Sequence, residues 1–217
     1  MILDEDFHEE EGIQLSDQEI FTQIWVKPTK IFRYLLSKKY TKFIVPLFIT
    51  ASIISTFNTD QDSANFIKIS PIVDLTIRFF ISAFIYYFYA LLLTWTGRWM
   101  EGKATKTDLL IVVAYSMPPI ILMLPILIIQ FTIFGTDILS GGVDLTQYEK
   151  NQVGIFHVTE YLMLLLQLWS LWLVIIGISE AQNFTVGRAI GNIIFAGIVV
   201  WIFSLIFLFI LGGVLSI

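Results

Sequence analysis

Residues 190–215 read IGNIIFAGIVVWIFSLIFLFILGGVL, twenty-six positions without one charged side chain. A helix advances about 1.5 Å per residue, so this run reaches about 39 Å, more than the roughly 30 Å of hydrocarbon in a bilayer. Four further apolar segments precede it, over about 40–57, 72–96, 109–134 and 155–178. Strands of a membrane barrel would be about ten residues long with alternating polarity, and these runs show neither property. With 56% hydrophobic and 14% charged residues in 217, a soluble domain could not keep so much apolar surface from water. The expected fold class is therefore all-α: a polytopic integral membrane bundle of five transmembrane helices over 40–217. A cytoplasmic acidic tail and a short amphipathic juxtamembrane helix precede it over 1–39.

The start of the chain is acidic, with Asp4, Glu5, Asp6, Glu9, Glu10, Glu11, Asp17 and Glu19. That is the reverse of a basic, then apolar, signal peptide, so the first span is expected to act as its own insertion signal. Cysteine is absent, which excludes disulfides and thiolate metal sites. Ser16-Asp17-Gln18-Glu19 has the form of a capping box, a serine answered by a glutamate three residues on. The helix it opens would carry Ile20, Phe21, Ile24 and Trp25 on one side. Pro28 interrupts it, and Thr29 is placed to cap a second helix over 30–39. There Ile31, Phe32, Leu35 and Leu36 form an apolar face beside Lys27, Lys30, Arg33, Lys38 and Lys39. Two placements suit it: in the membrane interface, with basic stems reaching lipid phosphates, or against the protein's own cytoplasmic face.

Orientation follows from where base accumulates. With the N-terminus inside, the inner segments hold ten basic residues: Lys27, Lys30, Arg33, Lys38, Lys39, Lys42, Arg98, Lys103, Lys106 and Arg188. The outer segments hold two, Lys68 and Lys150, and Arg78 falls within the second span. Lysine and arginine are retained on the cytoplasmic side, so the N-terminus is expected inside and the C-terminus outside. For a prokaryotic chain the membrane would be the cell (inner) membrane. The outer loop 135–154, with Asp137, Gly141, Gly142, Asp144 and Glu149, fits a translocated segment. The Asn183-Phe184-Thr185 triplet matches a glycosylation pattern but falls on the cytoplasmic side of this topology.

Charge within lipid is expensive, so polar residues inside the spans are the candidates for function. Asp74 and Arg78 lie four apart on the second span and share a face, while His157 and Glu160 lie three apart on the fourth. Both pairs fall in the outer third of the membrane, where Arg78 could bridge Asp74 and Glu160. As a functional group they would form a proton relay, a cation site or the mouth of a polar cavity. As a structural one they would be an interhelical salt bridge near the headgroups. An arginine beside the carboxylates and histidine argues against a metal. The third span carries Tyr115, Ser116, Pro118, Pro119 and Pro125, which remove backbone donors and free carbonyls near Ala114 and Tyr115. Those carbonyls need partners from neighbouring helices, hydroxyls or water. A helix broken there would suit a transport site; the expectation is a simple kink stabilised by packing. Gln130 and Gln167 suit interhelical hydrogen bonds, and Gly187 with Gly191 gives a small-xxx-small spacing for close helix approach. Trp95 and Trp99 fall where an inner aromatic belt belongs.

No nucleotide-binding glycine loop, HExxH or supported serine–histidine pair occurs, so no cofactor and no enzymatic activity is expected. The basic residues cluster against lipid, which suits anionic headgroups and gives nucleic-acid binding no basis.

Three stretches together resemble the Yip-type, or Ypt/Rab-interacting, membrane protein family. WVKPTKIFRYLL is similar to that family's cytoplasmic entry, and GRWMEGKATKTDLLIVVAYSMPP to its glycine-rich loop and tyrosine-and-proline helix. WLVIIGISEAQNFTVGRAI resembles its fourth span and the loop that follows. The resemblance implies five spans, a cytoplasmic N-terminus and association with other membrane proteins or with further copies of the chain. Tyr115 and Pro118 match the family's third-span signature. Eukaryotic members act in traffic between endoplasmic reticulum and Golgi and interact with prenylated Rab GTPases. This chain has a short N-terminal region and no Asp-Leu-Tyr-Gly-Pro stretch, a departure from the eukaryotic pattern that argues against Rab binding, and it resembles a prokaryotic member, for which the family implies no settled activity. The functional expectation is a non-enzymatic protein that binds or organises other membrane components. The alternative is a transporter, channel or lipid scramblase using the polar group of the outer third.

Overall fold

The structure, a computed structural model, describes residues 14–57, 71–135, 138 and 143–215. The acidic tail before Gln14, Lys68, and Asp137, Gly141 and Gly142 of the outer loop lie outside the described residues. Every regular element among the described residues is helical.

α1 (Asp17–Gln23) opens as its sequence dictates. The Glu19 N–H donates to the Ser16 hydroxyl at 3.3 Å, and the Ser16 N–H donates to the Glu19 carboxylate at 2.8 Å. α2 runs Pro28–Ser37 rather than 30–39, and Thr29 is not its cap. Proline itself forms the first turn, where its missing N–H has no partner to lose. Ile31, Phe32 and Leu35 of α2 are fully buried, as are Ile20 and Ile24 before it. Of the two placements for this apolar face, the structure has it against the protein: α2 packs on α5 (Lys106–Tyr115) and α8 (Lys150–Gln182). Burying each such side chain contributes about 2 kcal/mol, which is why the face turns inward while Lys27, Lys30, Arg33 and Lys38 stay exposed.

α4 (Pro71–Trp99), the stretch Lys106–Phe134, α8 and α9 (Val186–Leu215) are each long and apolar enough to cross a membrane, and α3 (Ile44–Phe57) is a shorter apolar helix. The five apolar segments of the sequence are these four and α3. The long helices overrun their apolar cores by a turn at polar ends, so α8 begins at Lys150 and α9 at Val186. Two levels of charge stand about a hydrocarbon thickness apart along the helices. Arg78 and Arg98 stand twenty residues apart on α4, as do Glu160 and Glu180 on α8. Twenty helical residues measure about 30 Å, the hydrocarbon thickness. Arg98, Lys103, Glu180 and Arg188 share one end of the bundle, its basic end.

The third span is broken, not merely kinked. α5 stops at Tyr115, a single turn α6 (Pro118–Ile121) follows, and α7 (Met123–Phe134) completes the crossing. Pro118 and Pro119 occupy the first turn of α6, where missing donors are tolerated. Of the carbonyls that the prolines leave without their usual donors, that of Ala114 accepts from the Met117 N–H at 3.1 Å. Beside it Ser170 of α8 donates to the Ser116 carbonyl at 2.7 Å, and the Ser116 hydroxyl donates to the Val112 carbonyl at 2.7 Å. α5 is almost wholly encased by protein, with Leu109, Ile111, Ala114 and Tyr115 fully buried.

Candidate functional site

The loop between α4 and α5 is built around one side chain that sequence reading passed over, Gln182. It ends α8, and Asn183 after it adopts the left-handed conformation (φ 56°) that reverses the chain, with the Asn183 and Phe184 N–H groups donating to the Ser179 carbonyl. Gln182 is fully buried. Its amide oxygen accepts from the Ala104 N–H at 3.0 Å, its amide nitrogen donates to the Leu93 carbonyl at 3.3 Å, and its backbone carbonyl accepts from the Lys103 N–H at 3.4 Å. Asn192 of α9, also fully buried, donates to the same Leu93 carbonyl at 3.2 Å and accepts from the Thr96 hydroxyl at 2.7 Å. One amide clamp thus ties α4, α8, α9 and the loop together.

The clamp explains two glycines. A Cβ on Gly97 would stand 2.0 Å from the Gln182 amide nitrogen, and one on Gly102 would stand 2.1 Å from its amide oxygen. Between them Glu101 holds φ 63°, a left-handed conformation costly for a residue with a side chain, while Gly102 N–H donates to the Gly97 carbonyl at 2.8 Å. Arg188 of α9 donates to the Met100 carbonyl and lies 4.6 Å over the Phe184 ring. The predicted small-residue contact at Gly187 and Gly191 is corrected: nothing lies within 4 Å of a Cβ on Gly187, and only the tip of Met100, at 3.5 Å, meets one on Gly191. Close approach occurs at Gly97, Gly102 and Gly177, the last against Val112 at 2.5 Å.

Charged groups continue this surface. Thr105 and Asp108 form a capping box at the start of α5, and Lys39, with φ 48°, pairs with Asp108. Arg33 donates twice to Glu180, at 3.0 and 3.2 Å. Lys42 pairs with Asp17 at 2.5 Å, and that ammonium first, then the Tyr40 hydroxyl, holds the Asp17 carboxyl below its ordinary value. Arg98 and Lys103 are exposed, and among the described residues neither has a carboxylate partner. Lys27 and Lys30 are exposed on the opening turns of α2.

Tyr115 is fully buried between α1 and the broken span. It stacks on Phe21 with centroids 6.0 Å apart and meets Tyr40 edge-on at 6.2 Å, so the N-terminal helix rests on the third-span break. At the far end, Asp74 and Arg78 pair at 2.8 Å along α4. Glu160 accepts instead from Gln130 of α7 at 2.9 Å, and Gln130 also donates to Thr159. Arg78 does not bridge to Glu160 among the described ion pairs, and His157 faces outward. Asp74 and Arg78 thus pair within α4, while Glu160 bonds to α7, a helix that packs on α8. Gln167 is exposed and has no hydrogen-bond partner among the described residues, contrary to the interhelical bond expected of it.

Helices of bilayer length, an interrupted third span and a clamped basic end define a polytopic α-helical membrane protein. The Yip1 domain profile matches residues 22–212, most of the chain, and the chain belongs to the Yip1 domain family. No curated protein and no solved structure matches it.

Proposed function

We propose that this protein is a non-enzymatic organiser of membrane components whose basic end, facing the cytoplasm, is a docking platform for membrane proteins, further copies of itself among them. The observation that carries the reading is the Gln182 clamp. Two buried amides, two sterically required glycines and a left-handed Glu101 are committed to holding one short loop in one shape. That loop presents Arg98, Lys103 and Lys106 at the lipid surface, where a rigid cationic edge selects acidic partners and anionic headgroups. The orientation rests on the accumulation of lysine and arginine at this end. Transport has weaker support, since among the described residues Asp74 pairs with Arg78 and Glu160 with Gln130.

The test is energy transfer between donor- and acceptor-labelled copies in liposomes, run beside ion and lipid flux. Reversing Lys103 and Lys106 to glutamate is expected to lower self-association several-fold with flux unchanged. A flux that vanishes in Arg78→Gln/Glu160→Gln, with association intact, would replace this reading by the transporter.

A further inference from the structure

α4 and α9 part toward the lipid. Phe84, Phe88 and Trp95 of α4 face Val199, Val200 and Phe203 of α9 across an open groove of about 860 Å³. Eleven residues of helix separate Phe84 from Trp95, about 17 Å, close to the ~15 Å depth of one leaflet. The lining side chains are apolar except for the Trp95 indole N–H and Ser204, whose hydroxyl donates to the Val200 carbonyl of its own helix at 2.9 Å. A hydrocarbon chain fits the length and chemistry of such a groove.

The basic end of the groove is aromatic and then cationic. Trp95 meets Trp99 with centroids 4.4 Å apart, and Trp99 meets Phe195 of α9 at 5.5 Å. Arg98, three residues past Trp95 and so on nearly the same face of α4, is exposed. Arg33, Lys39 and Lys42 each have a carboxylate, but among the described residues Arg98, Lys103 and Lys106 have none. The groove is lined by no acidic side chain that the cationic edge of a second copy could seek. We propose that the groove binds one acyl chain of an anionic glycerophospholipid from the leaflet at the basic end. Arg98 holds its phosphate, and Lys103 and Lys106 strengthen the local positive field.

The probe is phosphatidylglycerol bearing a diazirine midway along one acyl chain, present as a minor component of phosphatidylcholine nanodiscs holding the full chain. Label is expected to concentrate on α4 and α9 around Phe88 and Val200, several-fold above the lipid-facing residues Ile128 and Leu165. Arg98→Gln removes one surface charge and should lower that labelling about fivefold, the effect of roughly 1 kcal/mol per basic residue. Val200→Trp fills the groove and should abolish it, while Ile128→Trp on another lipid face should not. Even labelling of all lipid-facing helices, equal for phosphatidylcholine and phosphatidylglycerol probes, would overturn the proposal. So would Phe88-to-Phe203 cross-links between two copies that added lipid does not displace. Failure here leaves the docking platform standing, because that is judged by self-association.

Discussion

Gln182 and Gly97 meet within a distance that admits no methyl group, and the stability of the basic end depends on that fit. In Gly97→Ala the new carbon must expel the amide, stranding the Ala104 N–H; the expected cost is about 3 kcal/mol. Gln182→Leu keeps the volume but loses the hydrogen bonds, and should cost about 2 kcal/mol. Gly187→Ala meets open space in a helix and should be neutral or stabilise by up to about 1 kcal/mol. Chemical unfolding of the three variants in one detergent gives the order directly. Equal losses at Gly97 and Gly187 would mean that the clamp is not what constrains the glycines. The glycine-rich loop was visible in the sequence, but its partner was not. Gln182 lies about eighty residues from the loop it fills, and no periodicity reports that distance.

Among the elements, the third span shows most clearly where local chemistry stops being sufficient. Tyr115, Pro118 and Pro119 announce an interruption, because proline cannot donate and crowds the turn before it. By themselves they favour a kink. Where the helix ends instead, Ser170 on a different helix donates to the Ser116 carbonyl at 2.7 Å. Ser170→Ala should therefore cost about 1 kcal/mol. Hydrogen exchange should rise around the α5–α6 break, with α9 unchanged. A variant indistinguishable from the parent in both measurements would show that the break needs no help from α8. The same logic separates α1 from α2: the capping box at Ser16 is local and was legible, whereas the burial of Ile31, Phe32 and Leu35 depends on α5 and α8.

For the whole molecule, the arrangement of charge makes a topological prediction that the absence of cysteine renders simple to check. A single cysteine in place of Lys103 should react with an impermeant maleimide only from the cytoplasmic side, and one in place of Lys150 only from the opposite side. Labelling of both from one side would refute the orientation and the count of crossings together.

What the sequence determined by itself was the solvent: runs of twenty or more apolar residues can satisfy their backbone in lipid only as helices, whatever their neighbours are. It also determined which end of the bundle is basic, since charge placement needs no tertiary knowledge. Only the folded chain decided which polar residues meet. Asp74 pairs within α4 and Glu160 bonds to α7, while Gln182, Asn192 and Thr96, on three helices, share one buried network. Helical periodicity specifies depth and face within one segment, whereas the identity of the facing helix is set by how all the apolar faces are buried at once.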